Sequence, residues 1–117
     1  MKATELMVGD WVLYGEKPRQ VRYINDRVWW DGSCHNDEIG FTHHEDEWIA
    51  AHNAEPISLT PEVFEKNPQV EELGYWDERD NLFRLYAMPC INLWSVDRLQ
   101  KCLRLCGQFE LAENFKV

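Results

Sequence analysis

The stretch that decides the fold lies near the start of the chain and reads Leu6-Met7-Val8-Gly9-Asp10-Trp11-Val12-Leu13-Tyr14. An apolar lead-in is followed by a Gly-Asp turn and then by a dense run of aromatic and β-branched residues, which is typical of a β-strand. The chain turns again at Gly15–Pro18, and apolar and polar residues alternate over Arg19–Ile24. These signals predict two neighbouring antiparallel strands.

Further strand signals extend this start into an N-terminal unit. Asn25-Asp26 favours a two-residue hairpin connection because both residues tolerate positive φ. Arg27–Asp31 then supplies a third strand, and Ile39–His43 alternates as a fourth. A meander this tight curls into a barrel or packs on a helix. We therefore expect an SH3-like antiparallel β-barrel or meander over residues 1–59, ending in an acidic connector, and a second subdomain over residues 60–117.

The second subdomain is predicted to contain a helix, a β-hairpin, a second helix and a final strand. Thr60-Pro61-Glu62 combines an N-cap, a proline at N1 and a first-turn acid. Tyr75-Trp76 and Leu82–Met88 have the pattern of two hairpin arms. Ser95–Gly107 has apolar residues at helical spacing between a cap and a stop, and Gln108–Val117 alternates like a strand. We expect an α+β protein whose two subdomains form one compact domain.

The charge of the chain is concentrated in its middle. The net charge is −9, and residues 32–80 carry thirteen Asp and Glu against Lys66 and Arg79. Residues 1–31 are balanced, and residues 81–117 carry more basic than acidic side chains. An acidic field repels nucleic acid and anionic membranes, and it favours solubility or a basic protein partner.

The cysteines and the hydropathy pattern indicate the compartment. Cys34, Cys90, Cys102 and Cys106 contain no Cys-x-x-Cys pair. No stretch approaches the roughly 20 apolar residues that a membrane helix needs, and no signal-peptide pattern follows the first residues. We expect a cytoplasmic protein with reduced thiols and no membrane association.

Three stretches carry a family resemblance: Met7–Val12, Glu55–Asn67 and Leu99–Gly107. They contain a Gly-Asp-x-Val opening, a Pro-Ile-x-Leu-Thr-Pro-Glu helix start and a closing Leu-Gln helix. In these features the chain resembles a family of small uncharacterised proteins of anaerobic gut bacteria, often encoded in phage-derived or mobile DNA. The resemblance implies a shared architecture and genomic origin, and it brings no catalytic residue. The region Cys34–His52 departs from the family pattern.

The histidines are the candidates for a metal site. All four fall between Cys34 and His52, and Cys34, His35, His43 and His44 are the ligand set that could converge if Ile39–His43 is a strand. Their spacing matches no zinc module, and histidines among acids are ordinary in exposed loops. We expect no metal and no other cofactor. Cys102 and Cys106 share one helix face, where core packing is the simpler interpretation.

The aromatic side chains are the stronger binding candidates. Successive residues of a strand point to opposite faces, so Trp29 and Trp30 cannot both enter the core. One of them is expected to pack inside, and the other either to be covered by the chain or to line an exposed groove with Tyr14 or Tyr23. Such a groove suits an extended peptide, and nucleic acid could also stack there, although the acidic middle opposes it.

Three hypotheses of function follow. The first is a non-enzymatic protein-interaction module of phage or mobile-element origin. The second is an acidic mimic of nucleic acid that binds a host protein through residues 37–80. The third, ranked last, is a small metal-dependent or hydrolytic enzyme, since no nucleophile elbow or phosphate-binding loop is present in the sequence. A homodimer is compatible with each of them.

Overall fold

The computed structural model describes Met1 and residues 5–25, 38–41 and 48–117. Within those residues the protein is α+β, with small antiparallel sheets and four α-helices. The chain divides into two compact units, Met1–Pro56 and Ile57–Val117. No helix in the described part is both long and apolar enough to cross a lipid bilayer.

The described part of the first unit is built mainly from short strands, with a 3-10 helix after the last of them. The strands form a pair, β1–β2, and a three-stranded sheet in the order β3–β4–β5. The elements are β1 (Trp11–Tyr14), β2 (Lys17–Gln20), β3 (Tyr23–Asn25), β4 (Glu38–Gly40), β5 (Trp48–Ala50) and the 3-10 helix Ala51–Asn53.

Backbone hydrogen bonds continue through the two residues between β2 and β3, so this continuous segment pairs with strands of both sheets. Val21 donates to the carbonyl of Asp10 and accepts from Gly9, both at 2.8 Å, which extends the pairing with β1. The next residue, Arg22, donates to the carbonyl of Gly40 at 2.7 Å and so begins the pairing with β4. The chain from β2 to β3 thereby joins the two sheets.

The segment after the 3-10 helix returns to β1. Leu13 donates to the carbonyl of Glu55 at 2.8 Å and accepts from its N–H at 2.9 Å. This two-way bridge gives β1 a second neighbour on the edge opposite β2. The hydrogen-bonded order is therefore the Glu55 segment, β1, the continuous β2–β3 segment, β4 and β5.

The opening turn directs β1 into a buried cluster. Gly9 has a φ of 99°, which favours glycine, and the buried carboxylate of Asp10 accepts a hydrogen bond from the N–H of Met7 at 2.9 Å. The φ of Gly9 and the hydrogen bond of Asp10 both fit the Gly-Asp turn that the sequence predicts. The buried hydrophobic residues of this unit are Leu6, Val12, Val21, Ile39, Ala51 and Ala54.

The predicted strand at Trp11–Tyr14 is confirmed. Strand β4 contains Ile39 and Gly40 of the fourth predicted strand, whereas Phe41 lies in a bend and His43 lies outside the described residues. The predicted third strand, Arg27–Asp31, lies outside the described residues, and so does Asp26 of the predicted hairpin. The described strands form no closed barrel.

The second unit places three strands among four α-helices. The strand order is β6–β7–β8, and both pairings are antiparallel. The elements are α1 (Pro61–Glu65), α2 (Pro68–Glu71), β6 (Gly74–Asp77), β7 (Leu82–Leu85), β8 (Met88–Leu93), α3 (Val96–Leu105) and α4 (Phe109–Glu113). The first predicted helix, the hairpin and the helix after Ser95 are confirmed, but the second hairpin arm ends at Leu85 and not at Met88.

An aromatic cluster forms much of the core of this unit. The ring centroids of Phe64 and Phe83 lie 4.3 Å apart, and Trp76 packs edge-on against Phe64 at 5.6 Å. Helix α3 adds Val96, Leu99 and Leu103, which are all fully buried. The remaining apolar core residues are Ile57, Val70, Leu85, Leu93, Cys102, Ala112 and Phe115.

The final strand predicted over Gln108–Val117 is wrong, because Phe109–Glu113 form helix α4. Gly107 ends α3 with a φ of 82°, which reverses the chain. The buried side chain of Gln100 then donates to the carbonyl of Ala112 at 2.8 Å. This contact ties α4 to α3, and the sequence alternation could not reveal it.

Strand β8 was not predicted at all. It follows a turn at Tyr86-Ala87, and its register pairs Met88 with Leu85 and Leu93 with Phe83. Between these two pairs, four residues of β8 lie opposite the single residue Arg84 of β7, so the register shifts at an irregular β-bulge. The four bulge residues, Pro89, Cys90, Ile91 and Asn92, are all exposed, so β8 lacks the alternation of buried and exposed positions from which a strand is predicted.

Candidate functional site

The structure describes two of the four predicted binding residues. Tyr14, at the end of β1, and Tyr23, at the start of β3, are both half-buried. Trp29 and Trp30 lie outside the described residues. No described ring contact joins Tyr14 to Tyr23.

Tyr14 instead packs beside an aromatic residue that follows β4. Its ring centroid lies 5.7 Å from that of Phe41, and the guanidinium of Arg19 lies 4.9 Å from the centroid of Phe41. Phe41 itself packs against the buried cluster of the first unit. The result is a half-buried aromatic patch with a cation over it, at the edge of the core.

The four candidate metal ligands, Cys34, His35, His43 and His44, also lie outside the described residues. In the described ranges no group of three or more His, Cys, Asp or Glu side chains is arranged to hold a metal ion. The structure therefore brings together no metal site among the residues that it describes.

A more exposed pair of aromatic side chains lies in the second unit. Tyr75 in β6 and Tyr86 in the turn after β7 have ring centroids 5.6 Å apart, and they are 42% and 65% exposed. Tyr75 pairs across the strands with Arg84, so these three residues share the sheet face opposite Phe83. Exposed tyrosines that stack on each other are common anchors at protein interfaces.

The guanidinium of Arg84 holds this outer face together. It donates to the carboxylates of Asp77 at 2.8 Å and Asp80 at 2.9 Å, and to the carbonyl of Pro89 and the side-chain oxygen of Asn92, each at 3.1 Å. The hydrogen bond from Arg84 lowers the pKa of Asp77, and both carboxylates raise the pKa of Arg84. One side chain thus links the hairpin loop to the bulge of β8.

Tyr86 also lines an apolar pocket beside helix α3. The pocket has a volume of about 240 Å³. It lies where the β7–β8 turn meets the end of α2 and the last turn of α3. Its apolar lining consists of Leu73, Leu85, Ala87, Leu103 and Cys106.

The two thiols of α3 have different environments. Cys102 is buried, and burial together with the nearby Cys106 raises its pKa, so its thiol stays protonated near neutral pH. Cys106 is half-buried and faces the pocket. The core interpretation is correct for Cys102, whereas Cys106 lies at the boundary between core and pocket.

A second cavity, of about 330 Å³, lies between the α1–α2 segment and helix α4. Its lining is more polar and includes Lys66, Asn67, Gln69, Glu110 and Asn114. Asn67 is buried and hydrogen-bonded to the last residues of the chain. This cavity presents no exposed aromatic residue and is the weaker binding candidate.

The sequence contains part of the signal for the pocket. Alternation over Leu82–Met88 puts Tyr86 on the face opposite Leu85, so its exposure could be expected. The pocket itself depends on the approach of α3 to the β7–β8 turn, which no local pattern indicates.

Comparison of the chain with protein families, with curated proteins and with solved structures found no match.

Proposed function

We propose that this protein is a non-enzymatic protein-interaction module. The observation that carries the proposal is the apolar pocket of the second unit, with the exposed Tyr86 in its lining and Tyr75 stacked beside it. An exposed aromatic pair beside an apolar recess resembles the energetic centre of a protein interface, where a few anchors supply most of the binding energy.

The size of the pocket supports a protein partner. Sites for small molecules and cofactors usually enclose about 300–1,000 Å³, and this pocket is smaller, at about 240 Å³. It suits a single inserted side chain. A partner of that kind gains further contact from the flat surface around the pocket, where Tyr75 and Tyr86 lie.

The proposal includes an SH3-like arrangement of the first unit. Its support is the hydrogen-bonded order of the strands: the continuous β2–β3 segment pairs with strands of both sheets, and Glu55, two residues after the 3-10 helix, pairs with Leu13. Such small barrels bind extended peptides along aromatic grooves. Tyr14, Tyr23, Trp29 and Trp30 are the residues that we propose for a groove of this kind.

The resemblance of three stretches to proteins of anaerobic gut bacteria supports an origin in phage-derived or mobile DNA. An accessory protein of such DNA needs to bind a host component and needs no chemistry of its own. We propose a cytoplasmic location for it on the cysteine and hydropathy arguments given above.

A second candidate function is mimicry of nucleic acid. The observation that favours it is a set of exposed carboxylates on the helices and hairpin of the second unit: Glu62, Glu65, Glu71, Glu72, Glu78 and Asp80. A mimic would compete with DNA for a basic host protein, and the competition would weaken steeply with salt. An interaction module with an apolar anchor would not compete with DNA, and its binding would weaken only modestly with salt.

The test begins with selection of binders from a phage-displayed library of random twelve-residue peptides. Selected peptides are synthesised and titrated by calorimetry against the native protein and against Tyr86→Ser. We expect the variant to bind at least tenfold more weakly, as loss of an interface anchor does. Trp94→Ser is the matched control, because Trp94 is an exposed aromatic residue at the other end of α3, and it should bind within twofold of the native protein.

Each outcome has a defined meaning. Failure to select any peptide contradicts the proposed function. Equal affinity of the native protein and Tyr86→Ser contradicts the site in the second unit. A Trp30→Ala variant then tests the groove of the first unit, and loss of binding there would move the site while keeping the function.

A further inference from the structure

The lining of the pocket specifies the chemistry of its occupant. We infer that the pocket binds an extended segment of a partner protein in which one large apolar side chain is followed by Lys or Arg. This inference rests on the proposed function and adds the class of partner to it.

The interior of the pocket selects an apolar group. Leu73, Leu85, Ala87 and Leu103 present hydrocarbon, and Cys106 presents a thiol, which is a weak hydrogen-bonding group. A polar side chain that entered would lose its water and find no strong partner, which is costly. Leu, Met or an aromatic side chain would instead bury its surface against these groups.

The rim of the pocket selects a positive charge. Glu72 is the carboxylate among the lining residues, and Glu71 beside it is also exposed. No Lys or Arg is among the residues that line this pocket. The net charge of −9 adds a long-range attraction for a basic segment. A Lys or Arg next to the inserted side chain would therefore lie beside Glu72.

The exposed side chain of Gln108 completes the rim. Its amide has both a donor and an acceptor, which can pair with the backbone of an extended segment. Tyr86 lies in the β7–β8 turn and is also among the lining residues. An apolar floor, an amide and a negative rim together describe a site for a short basic–apolar motif.

The position of Cys106 supplies a direct assay of occupancy. Iodoacetamide alkylates accessible thiols, and peptide mapping by mass spectrometry reports each cysteine separately. Cys106 faces the pocket, whereas Cys90 is exposed on β8 and is not among the lining residues. A group that fills the pocket should slow alkylation of Cys106 and leave the rate at Cys90 unchanged.

The experiment uses the full chain and blocked octapeptides at millimolar concentration. Each peptide carries Leu, Met, Phe, Trp or Ser at one position and Arg or Glu at the next. We expect the apolar–Arg peptides to slow alkylation of Cys106 at least fivefold, and the Ser–Arg and apolar–Glu peptides to have little effect. Glu72→Gln should weaken protection by the Arg peptides about two- to fivefold, as expected for an exposed ion pair.

Several results would overturn the inference. Equal protection by the Arg and Glu peptides contradicts the role of the rim, and protection by the Ser peptides contradicts the role of the interior. If selected twelve-residue peptides bind the protein while Cys106 keeps its free rate, the proposed function stands and the pocket is not its site. If uncharged toluene protects Cys106 and none of the peptides does, the pocket holds a small apolar molecule.

Discussion

Replacement of Asn67 by alanine should release the end of the chain from the second unit. The side-chain amide nitrogen of Asn67 donates to the carbonyls of Val63 at 2.8 Å and Lys116 at 2.7 Å, and its oxygen accepts from the N–H of Lys116 at 2.9 Å. Two of these bonds join residues 49 positions apart. These two bonds form a clamp between Asn67 and the end of the chain. Asn67 precedes α2 but makes no side-chain cap hydrogen bond, so the substitution removes the clamp without uncapping the helix.

The expected cost follows from these three bonds. A typical hydrogen bond contributes about 0.5–1.5 kcal/mol net, so three would contribute up to about 4 kcal/mol. The carbonyl of Val63 still accepts a hydrogen bond from the N–H of Lys66. The backbone N–H and carbonyl of the exposed Lys116 can form hydrogen bonds with water instead. Both facts lower the penalty for the groups left behind. We therefore expect Asn67→Ala to lower the free energy of unfolding by about 2 kcal/mol.

The assay combines a global and a local measurement. Urea unfolding followed by circular dichroism gives the change in stability, and amide hydrogen exchange by NMR gives the protection of the Lys116 N–H. Lys116→Ala is the matched control, since it removes an exposed side chain and leaves both backbone bonds to Asn67 in place. This control should change stability by less than about 0.5 kcal/mol and keep the amide protected.

Two results would refute the reasoning. One is a loss of stability in Asn67→Ala no greater than that in Lys116→Ala. The other is a Lys116 amide that exchanges at the same rate in the native protein and in Asn67→Ala. In either case the clamp at Asn67 would not hold the end of the chain.

Further predictions concern glycine positions and one carboxylate of the second unit. Gly74→Ala would place a Cβ 2.2 Å from the carbonyl oxygen of Arg84, so thermal unfolding should show a loss of about 3 kcal/mol. Gly107→Ala has open space around its Cβ but a φ of 82°, so the same measurement should show a loss of only about 1 kcal/mol; an equal loss in the two variants would contradict both accounts. The hydrogen bond from Arg84 lowers the pKa of Asp77 below its ordinary value of 3.8, so the stabilisation is complete above that value and disappears as the pH falls through the lowered pKa. Asp77→Asn should therefore flatten the fall in stability on acidification, and an unchanged acid limb in urea titrations would argue against this ion pair.

Much of the fold could be predicted because its signals are local. Thr60-Pro61-Glu62 begins a helix as predicted, and Ser95 stands at the N-cap position of the longest described helix. Neither the Thr60 nor the Ser95 side chain makes a cap hydrogen bond, so the local signals lie in the extended backbone of the two N-cap residues, the fixed φ of Pro61 and the first-turn acids Glu62 and Asp97. The alternation of Leu82–Leu85 matches the buried Phe83 and Leu85. Helix α2 was not predicted; Pro68 is its first residue, a position where proline is tolerated.

The end of the chain could not be predicted, because two periodicities fit the same residues. Phe109, Leu111 and Phe115 alternate like a strand, yet Ala112 and Phe115 lie three residues apart and are the buried pair. The turn at Gly107 and the hydrogen bond from Gln100 bring α4 back onto α3. Contacts between separate elements, and not local preference, decided between helix and strand.

The same distinction applies to the candidate site. The sequence by itself determined that the protein is acidic and α+β, that it begins with a turn into a buried strand at Val12, and that Tyr86 lies opposite Leu85. Only the tertiary structure decided that Leu73, Leu103 and Cys106 line one pocket together with Tyr86. The physical reason is range: capping and alternation act within a few residues, whereas a pocket forms where distant segments pack and leave space between them.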